Sequence, residues 1–262
     1  MIHKTAVIDP AAELGRDVTV GPFAYIERDV KIGDGCAIGP HASILRYTTL
    51  GERCRVHAGA VLGDVPQDLS FTDARSEVRI GSGCVMREGV TIHRGTKADT
   101  VTEIGENCFL MAFSHFAHNV KLGRNVIVAN GALLAGYVEV GDRAFVSGNV
   151  VIHQFCRVGR IAMLGGQAAI TKDVPPFCTA RPSQLNSMAA PNLIGMRRAG
   201  FTPAECRDVR TAFKILYRSG LNVSQAEERL RTTFTTGPAA EFVVFIEGAR
   251  RGVCGFAGEP EV

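Results

Sequence analysis

Three residues capable of acid–base and oxyanion chemistry lie at intervals of eighteen positions: His118, Gly136 and Gln154. Once two interruptions of the register are subtracted, three more histidines fall within a few positions of the same column: His93, His115 and His153. Imidazole is well suited to act as a general base near neutral pH, and a backbone N–H can stabilise an oxyanion. The spacing therefore predicts a general base beside an oxyanion donor.

A metal site is the alternative chemistry for these histidines. His115 and His118 are three residues apart, so on a strand they point to opposite sides and share an ion only if a corner lies between them. No Asp, Glu or Cys accompanies them at a spacing typical of a zinc ligand set. We therefore expect neither a metal nor another cofactor.

The element that must position these residues has a period of six. From Ile8 to Ile170 every sixth residue is aliphatic or Phe, except Asp68, Ala74 and Ala98. A helix with 3.6 residues per turn cannot use this period, whereas short strands with two inward side chains can. Three such strands make one eighteen-residue coil, and stacked coils make a triangular prism of parallel strands. The seven histidines all lie off the inward positions, so we expect them to face outward.

The chain divides into two predicted domains. Residues 1–185 form the prism, with loops at 66–77 and 96–101 whose lengths are multiples of six and so keep the register. Glycine follows the aliphatic residue once per coil, as at Gly33 and Gly123, where we expect corners with unusual backbone angles. Residues 186–262 form a helical cap, in which Thr202 to Glu205 reads as a capping box. A second helix is predicted after Ser224 and a third over about 239–251.

Composition narrows the remaining classes. The net charge of +3 is too small to indicate nucleic-acid binding, no apolar run reaches the length of a membrane span, and the N-terminus lacks an apolar signal-peptide core. Five of the eight cysteines lie on the small inward positions and no C-x-x-C pair occurs, which indicates small buried hydrophobes in a reducing compartment. We therefore expect a cytoplasmic protein. The five inward cysteines are Cys36, Cys54, Cys84, Cys108 and Cys156.

A closer resemblance is carried by a set of short motifs: Gln67-Asp68-Leu69, Thr91 to Gly95, His115 to His118, Leu134 to Gly136, Val151 to Cys156 and Asp173 to Pro176. With Asn192, Gly195 and Arg198 to Phe201, the chain resembles the cytosolic UDP-N-acetylglucosamine O-acyltransferases of lipid A biosynthesis, a family of hexapeptide-repeat acyltransferases. The resemblance implies a mainly β fold, a left-handed parallel β-helix followed by a small C-terminal α-helical domain. It also implies a homotrimer with active sites between subunits.

The same resemblance implies the reaction: transfer of an (R)-3-hydroxyacyl group from acyl carrier protein to the 3-hydroxyl of the UDP-sugar. His118 is then the general base, the N–H of Gly136 the oxyanion donor, and Asn119 the residue that orients the imidazole. Asp68 is expected to hold the sugar, and Gly166 to leave a long acyl tunnel. The other implied acyl and nucleotide contacts are His115, His153, Gln154, Asn192 and Arg198.

Basic residues on one face of the first cap helix are open to two interpretations, a solvated face or a docking surface for the acidic carrier protein: Arg207, Arg210, Lys214 and Arg218.

Five positions depart from the family pattern: Ser70 for Lys, Asn119 for Asp, Tyr137 for His, Ile194 for Glu and Ala199 for Arg. Several alternatives therefore stay open. They are a paralogue acting on a variant UDP-sugar such as a 3-amino analogue, a weakly active or inactive paralogue, an acetyl-coenzyme A or acyl-coenzyme A hexapeptide transferase, and a metal-binding or purely scaffolding trimer.

Overall fold

Short parallel strands wind into a left-handed β-helix in the computed structural model of the protein, which describes residues 1–256. The strands form three sheets, here called faces one, two and three. Face one contains Val7–Ile8, Tyr25–Ile26, Ser43–Ile44, Val61–Asp64, Thr91–His93, His115–Phe116, Leu133–Leu134, Val151–Ile152 and Ala169–Ile170. Face two contains Glu13–Leu14, Lys31–Ile32, Thr48–Leu50, Glu77–Ile80, Val101–Ile104, Lys121–Leu122, Glu139–Val140 and Arg157–Val158.

Face three is the largest sheet and continues into the C-terminal part of the chain. Its strands are Thr19–Val20, Ala37–Ile38, Arg55–Val56, Val85–Met86, Phe109–Leu110, Ile127–Val128, Phe145–Val146, Met163–Leu164, Cys178–Ala180, Ser187–Pro191 and Gly255–Phe256. Thus the segment predicted as a helical cap also supplies two strands. The last six residues of the predicted cap domain, 257–262, lie outside the described residues.

The six-residue period sets both the core and the register. Leu110 pairs with Val128, eighteen residues later, and Val128 pairs with Val146. These side chains and the small residue two positions before each of them point inward and are buried, as at Val126 and Val128. Since burying an aliphatic side chain contributes about 1.5–3 kcal/mol, the repeat supplies a continuous column of stabilising contacts.

Two loops interrupt this register without breaking it. Leu50 pairs with Ile80 and Ile80 with Ile104, so the first insertion adds twelve residues and the second six. The predicted loop ends were wrong by a residue, because Glu77 and Val101 are already the first residues of strands. The loops lie against each other, since the Ser76 hydroxyl donates to the Gly95 carbonyl at 2.5 Å.

The reason expected for the once-per-coil glycines was also wrong. Gly33 and Gly123 do not have positive φ; instead, a Cβ on Gly33 would lie 2.7 Å from the carbonyl carbon of Gly51 in the next coil. Close backbone approach therefore requires these glycines. The left-handed corner positions are mostly taken by other residues, including Asn119 and Tyr137, each with φ of 60°.

Four helices follow the last coils: α1 (Leu193–Arg198), α2 (Pro203–Arg218), α3 (Val223–Thr233) and α4 (Glu241–Glu247), with a short 3-10 turn at Pro238–Ala240. Thr202 and Glu205 form the predicted capping box of α2. Helix α3 begins earlier than predicted because Asn222 caps it, accepting from the Gln225 N–H at 2.9 Å. Helix α4 is shorter than the predicted 239–251.

Candidate active site

The corner between faces one and two brings the predicted column together. His118 follows the strand His115–Phe116, Gly136 follows Leu133–Leu134, and Gln154 follows Val151–Ile152, so each starts the same turn in successive coils. The Tyr137 N–H donates to the His118 carbonyl at 3.0 Å, and the Phe155 N–H donates to the Gly136 carbonyl at 3.0 Å. The coil spacing therefore stacks the imidazole and the glycine one rung apart.

Gly136 leaves the space that the His118 ring occupies. A Cβ built on Gly136 would lie 2.6 Å from His118 Nε2 and 3.0 Å from Nδ1, and closer still to Cε1. Any side chain at position 136 would displace the ring. Within residues 1–256 the Gly136 N–H has no hydrogen-bond acceptor, so it remains able to donate to a bound group.

Two side chains flank the His118 ring. Nδ1 lies 3.1 Å from the amide oxygen of Asn119, and Nε2 lies 3.8 Å from a carboxylate oxygen of Asp68. Asp68 belongs to the first loop, where Ser70 holds it: the Ser70 N–H and hydroxyl donate to the carboxylate at 2.9 and 2.8 Å. These two hydrogen bonds lower the pKa of Asp68, and His118 adds a smaller electrostatic effect in the same direction.

A cavity of about 490 Å³ opens in front of His118 and Gly136. The predicted residues His115, His153 and Gln154 line it, together with apolar side chains of face one. Both His115 and His118 reach this cavity because the strand ends at Phe116 and the corner begins. Asp68 lies at its edge, next to the lining residue Gln67.

His93 lies off the inward positions but is nevertheless buried, with an exposed fraction of 6%. Its ring meets the edge of the His115 ring with centroids 5.1 Å apart, and His115 Nδ1 lies 2.7 Å from the Thr91 hydroxyl. Burial lowers the pKa of His93, and burial with the neighbouring His93 lowers the pKa of His115 to about 4. Both rings are therefore neutral at pH 7.

Asn192 and Arg198 lie elsewhere in the chain. They line a second cavity of about 500 Å³ between α1 and face three, with Ile194 and Ala199 on the same wall. Asn192 also caps α1, where its amide oxygen accepts from the Gly195 N–H at 3.0 Å and its NH₂ donates to the Ile161 carbonyl at 2.8 Å. Within a single copy the structure does not bring these residues to His118.

Gly166 also lies away from the His118 cavity, at the corner between faces three and one. A Cβ there would meet nothing nearer than the Gly148 carbonyl oxygen at 3.7 Å, so the position is open.

The basic residues of α2, namely Arg207, Arg210, Lys214 and Arg218, are exposed. Two of them, Arg207 and Arg210, line a cavity of about 320 Å³ between α1 and α2 together with Arg197.

Thr96 and the stacking of Tyr137 on Phe155 were not recognised from the sequence. Thr96 reaches the Asn119 side chain from the second loop, and the Tyr137 and Phe155 rings lie 4.9 Å apart at an angle of 14°. The only available signal was the polar loop itself, since the eighteen-residue register gives no information about where an inserted loop folds.

Among residues 1–256, no group of three His, Cys, Asp or Glu side chains is arranged to hold a metal ion, and no helix there is long and apolar enough to cross a membrane.

The fold and this corner site define a hexapeptide-repeat transferase, and the repeat profile matches residues 11–46, 29–64 and 102–136. Residues 173–254 match the family described as UDP N-acetylglucosamine O-acyltransferase, domain 2. The acyl-[acyl-carrier-protein]–UDP-N-acetylglucosamine O-acyltransferase of Halorhodospira halophila is 41% identical, over 96% of this chain and 98% of its own length. The chain belongs to the UDP-N-acetylglucosamine O-acyltransferase family.

Solved structures agree with this assignment. The UDP-N-acetylglucosamine acyltransferase from Campylobacter jejuni is 40% identical with a TM-score of 0.92, covering 98% of this chain and all of that one. The Francisella novicida UDP-N-acetylglucosamine acyltransferase is 35% identical with a TM-score of 0.94, covering 97% and 94%. The likeness therefore extends over the β-helix and the helical segment alike.

Proposed function

We propose that this protein is an acyltransferase that moves an (R)-3-hydroxyacyl group from acyl carrier protein to the 3-hydroxyl of UDP-N-acetylglucosamine, the first step of lipid A biosynthesis. The reaction takes place in the cytoplasm. The observation that carries the proposal is that His118 and a Gly136 N–H without an acceptor among the described residues share one cavity. The chain that holds them is similar over nearly its whole length to acyl-[acyl-carrier-protein]–UDP-N-acetylglucosamine O-acyltransferases. The eight free, buried thiols fit a reducing compartment.

The proposed chemistry uses His118 twice. Nε2 takes the proton of the acceptor hydroxyl as its oxygen attacks the thioester carbonyl, and the Gly136 N–H donates to the oxyanion of the tetrahedral intermediate. Collapse of the intermediate breaks the carbon–sulfur bond, and the imidazolium returns its proton to the leaving thiolate. Asp68, beside Nε2, is placed to bind a sugar hydroxyl at the same time.

A homotrimer would complete this site. Face two carries mostly charged residues of both signs on its outward side, whereas faces one and three carry many apolar residues there, and Phe113 at the corner between them is 70% exposed. Three copies packed through faces one and three would bury those residues and leave the charged face in water. The His118 cavity on face one of one copy would then meet the Asn192 and Arg198 cavity on face three of the next. The outward residues of face two are Glu13, Lys31, Thr49, Arg79, Glu103, Lys121, Glu139 and Arg157.

Light scattering tests the assembly. We expect a mass three times that of the 28.0 kDa chain. In Phe113→Asp the new residue tolerates the φ of 58° at this position but puts a charge on the proposed interface, so the variant should have a lower mass. Arg53→Asp, at a left-handed position between faces two and three, is the matched control. A wild-type monomer, or a trimer unaffected by Phe113→Asp, would contradict this arrangement.

We also propose that the exposed basic residues of α2 dock the acidic carrier protein. Arg207 and Arg210 stand at a cavity rim, and within residues 1–256 neither they nor Lys214 forms an ion pair. Reversing Arg210 and Lys214 to Glu should raise KM for the protein-bound donor and weaken its salt dependence, leaving KM for the sugar nucleotide unchanged. An unchanged donor KM would indicate an ordinary solvated face.

The catalytic proposal is tested by His118→Ala, which should lower kcat by about 10²–10⁴-fold with the fold retained. The assay follows acyl transfer to UDP-N-acetylglucosamine from (R)-3-hydroxyacyl chains of several lengths on carrier protein, with acetyl-coenzyme A as the competing donor class. Undiminished turnover in His118→Ala, or a preference for acetyl-coenzyme A, would contradict the proposal.

Asn119 supports a second candidate, transfer to a 3-amino analogue of the same sugar nucleotide. Its amide can orient the His118 ring but lacks the charge that would stabilise an imidazolium. An amine is a stronger nucleophile than a hydroxyl and needs less help from the base. Comparing kcat/KM for the two acceptors, in wild type and in Asn119→Asp, decides between them: an amino-sugar enzyme favours the analogue by a wide margin in the wild type.

A further inference from the structure

Thr96 and Tyr137 lie behind the His118 ring and not among the residues that line the cavity in front of it. Thr96 belongs to the loop between Thr91–His93 and Val101–Ile104 and is 8% exposed. Tyr137 follows Gly136 at the left-handed corner position, and its ring is held flat against Phe155. The residue between them and the proposed base is Asn119, which is 6% exposed.

Thr96 fixes which atom of the Asn119 amide faces His118. The Thr96 N–H lies 3.1 Å from Asn119 Oδ1, and the Thr96 hydroxyl lies 3.2 Å from the same atom. Because a backbone N–H can only donate, the atom that it meets must be the amide oxygen. That oxygen lies 3.1 Å from His118 Nδ1, so Nδ1 carries the hydrogen and Nε2 keeps its lone pair toward the cavity.

Tyr137 extends this chain of contacts and closes it on the ring. Its hydroxyl lies 3.0 Å from the Thr96 hydroxyl, and its aromatic ring meets the edge of the His118 ring with centroids 5.3 Å apart. The Asn119 backbone is held as well, since its N–H donates to the Thr102 hydroxyl at 2.7 Å. Three hydrogen bonds therefore hold Asn119 besides its contact with the imidazole, two from Thr96 to its side-chain oxygen and one from its backbone N–H to Thr102.

We infer that Thr96 and Tyr137 are positioning residues that hold the Asn119 oxygen against His118 Nδ1 and so keep Nε2 available to accept a proton. The inference rests on the proposed role of His118 as the general base. Neither residue lines the cavity: Thr96 acts through Asn119, and the Tyr137 hydroxyl acts through Thr96, while the Tyr137 ring supports the His118 ring at its edge. Because the neighbour of His118 Nδ1 is an amide and the Asp68 carboxylate lies on the Nε2 side, the productive tautomer is held at Nδ1 by neutral hydrogen bonds.

Steady-state kinetics of four variants test the chain. Thr96→Val should lower kcat about fivefold to tenfold with KM unchanged, the scale of one hydrogen bond in a water-poor site, and Thr96→Ser should restore it. Tyr137→Phe keeps the stacking on Phe155 and should lower kcat about threefold. Adding Tyr137→Phe to Thr96→Val should cost nothing further, because the hydroxyl of Tyr137 acts through the one already removed.

The outcomes that would overturn the inference are specific. A kcat within twofold of wild type in Thr96→Val or Tyr137→Phe, effects on KM alone, or a double variant in which the two losses multiply would each contradict it. If Thr96→Val fails to fold, Tyr137→Phe and Thr96→Ser still decide the matter.

A readout that does not need activity separates this inference from the proposed function. In protein labelled with ¹⁵N-histidine, and with the His118 signals assigned by His118→Gln, Nδ1 should be the protonated nitrogen. A ring protonated at Nε2 would overturn the inference even in an active enzyme. A ring protonated at Nδ1 in a protein with no acyl transfer would sustain the positioning chain while the proposed function failed.

Discussion

Replacing Gly136 with alanine adds one methyl group at the place where the His118 ring lies. The new Cβ would stand 2.6 Å from Nε2 and 3.0 Å from Nδ1, whereas non-bonded heavy atoms pack best at about 3.5–4.0 Å. The ring must therefore move by about 1 Å, and a displacement of that size at a reacting group costs about 10²-fold in rate. The φ of Gly136 is not positive, so alanine suits the backbone and the fold should survive.

The assay is acyl transfer to the sugar nucleotide, followed with the thermal unfolding midpoint of the same preparation. We expect kcat to fall about 10²-fold, on the displacement argument, while the midpoint changes by only a few degrees. Gly255→Ala is the control, because a Cβ there meets no atom within 4 Å and its φ is not positive. If Gly136→Ala retained more than half of the wild-type turnover, catalysis would not depend on the space that Gly136 leaves for the His118 ring, and His118 would not be the base held there.

Three further predictions concern stability and reactivity. Because burial holds the pKa of His115 at about 4, the unfolded chain binds a proton at this residue more readily than the folded chain does. The free energy of unfolding should therefore be highest above about pH 6.5 and decline as the pH falls toward 4. Denaturant titrations should show a weaker decline in His115→Gln. Thr202→Ala removes the capping box of α2 and should lower the free energy of unfolding by about 1 kcal/mol in the same titrations. An unchanged free energy of unfolding would show that the cap does not stabilise the protein. The eight buried thiols should react with a thiol reagent only on unfolding, because the folded chain covers them; for Cys156 burial also raises the pKa, to about 11. Rapid labelling of folded protein would contradict this.

The column of His118 and Gly136 illustrates what could be predicted from the chain alone. A period of six residues admits only short strands with inward side chains, and eighteen residues per coil then place two such positions one rung apart. The arithmetic holds because parallel strands in adjacent coils pair residue for residue. It fails where residues are not paired between coils, as in the two loops, whose C-terminal ends were misplaced by one residue.

The burial of His93 and the position of Asn192 could not be predicted in the same way. His93 lies off the inward positions, yet neighbouring side chains cover it from outside the prism, including His115 in the next coil. Asn192 carries a family motif, but its amide oxygen accepts the N–H of Gly195, so its distance from His118 depends on how α1 packs on face three. Both outcomes depend on contacts between parts of the chain with no common period.

The sequence by itself determined the prism, its register and the stacking of an imidazole beside a glycine, because a repeating inward pattern has one way to bury itself. Only the tertiary structure decided how that imidazole is held. Asn119, Thr96 and Tyr137 meet through a loop that departs from the repeat, and the direction of their hydrogen bonds follows from the folded positions of individual atoms. Periodicity determines where a side chain starts, whereas the hydrogen bonds it makes depend on which neighbours the fold brings within 3 Å or so.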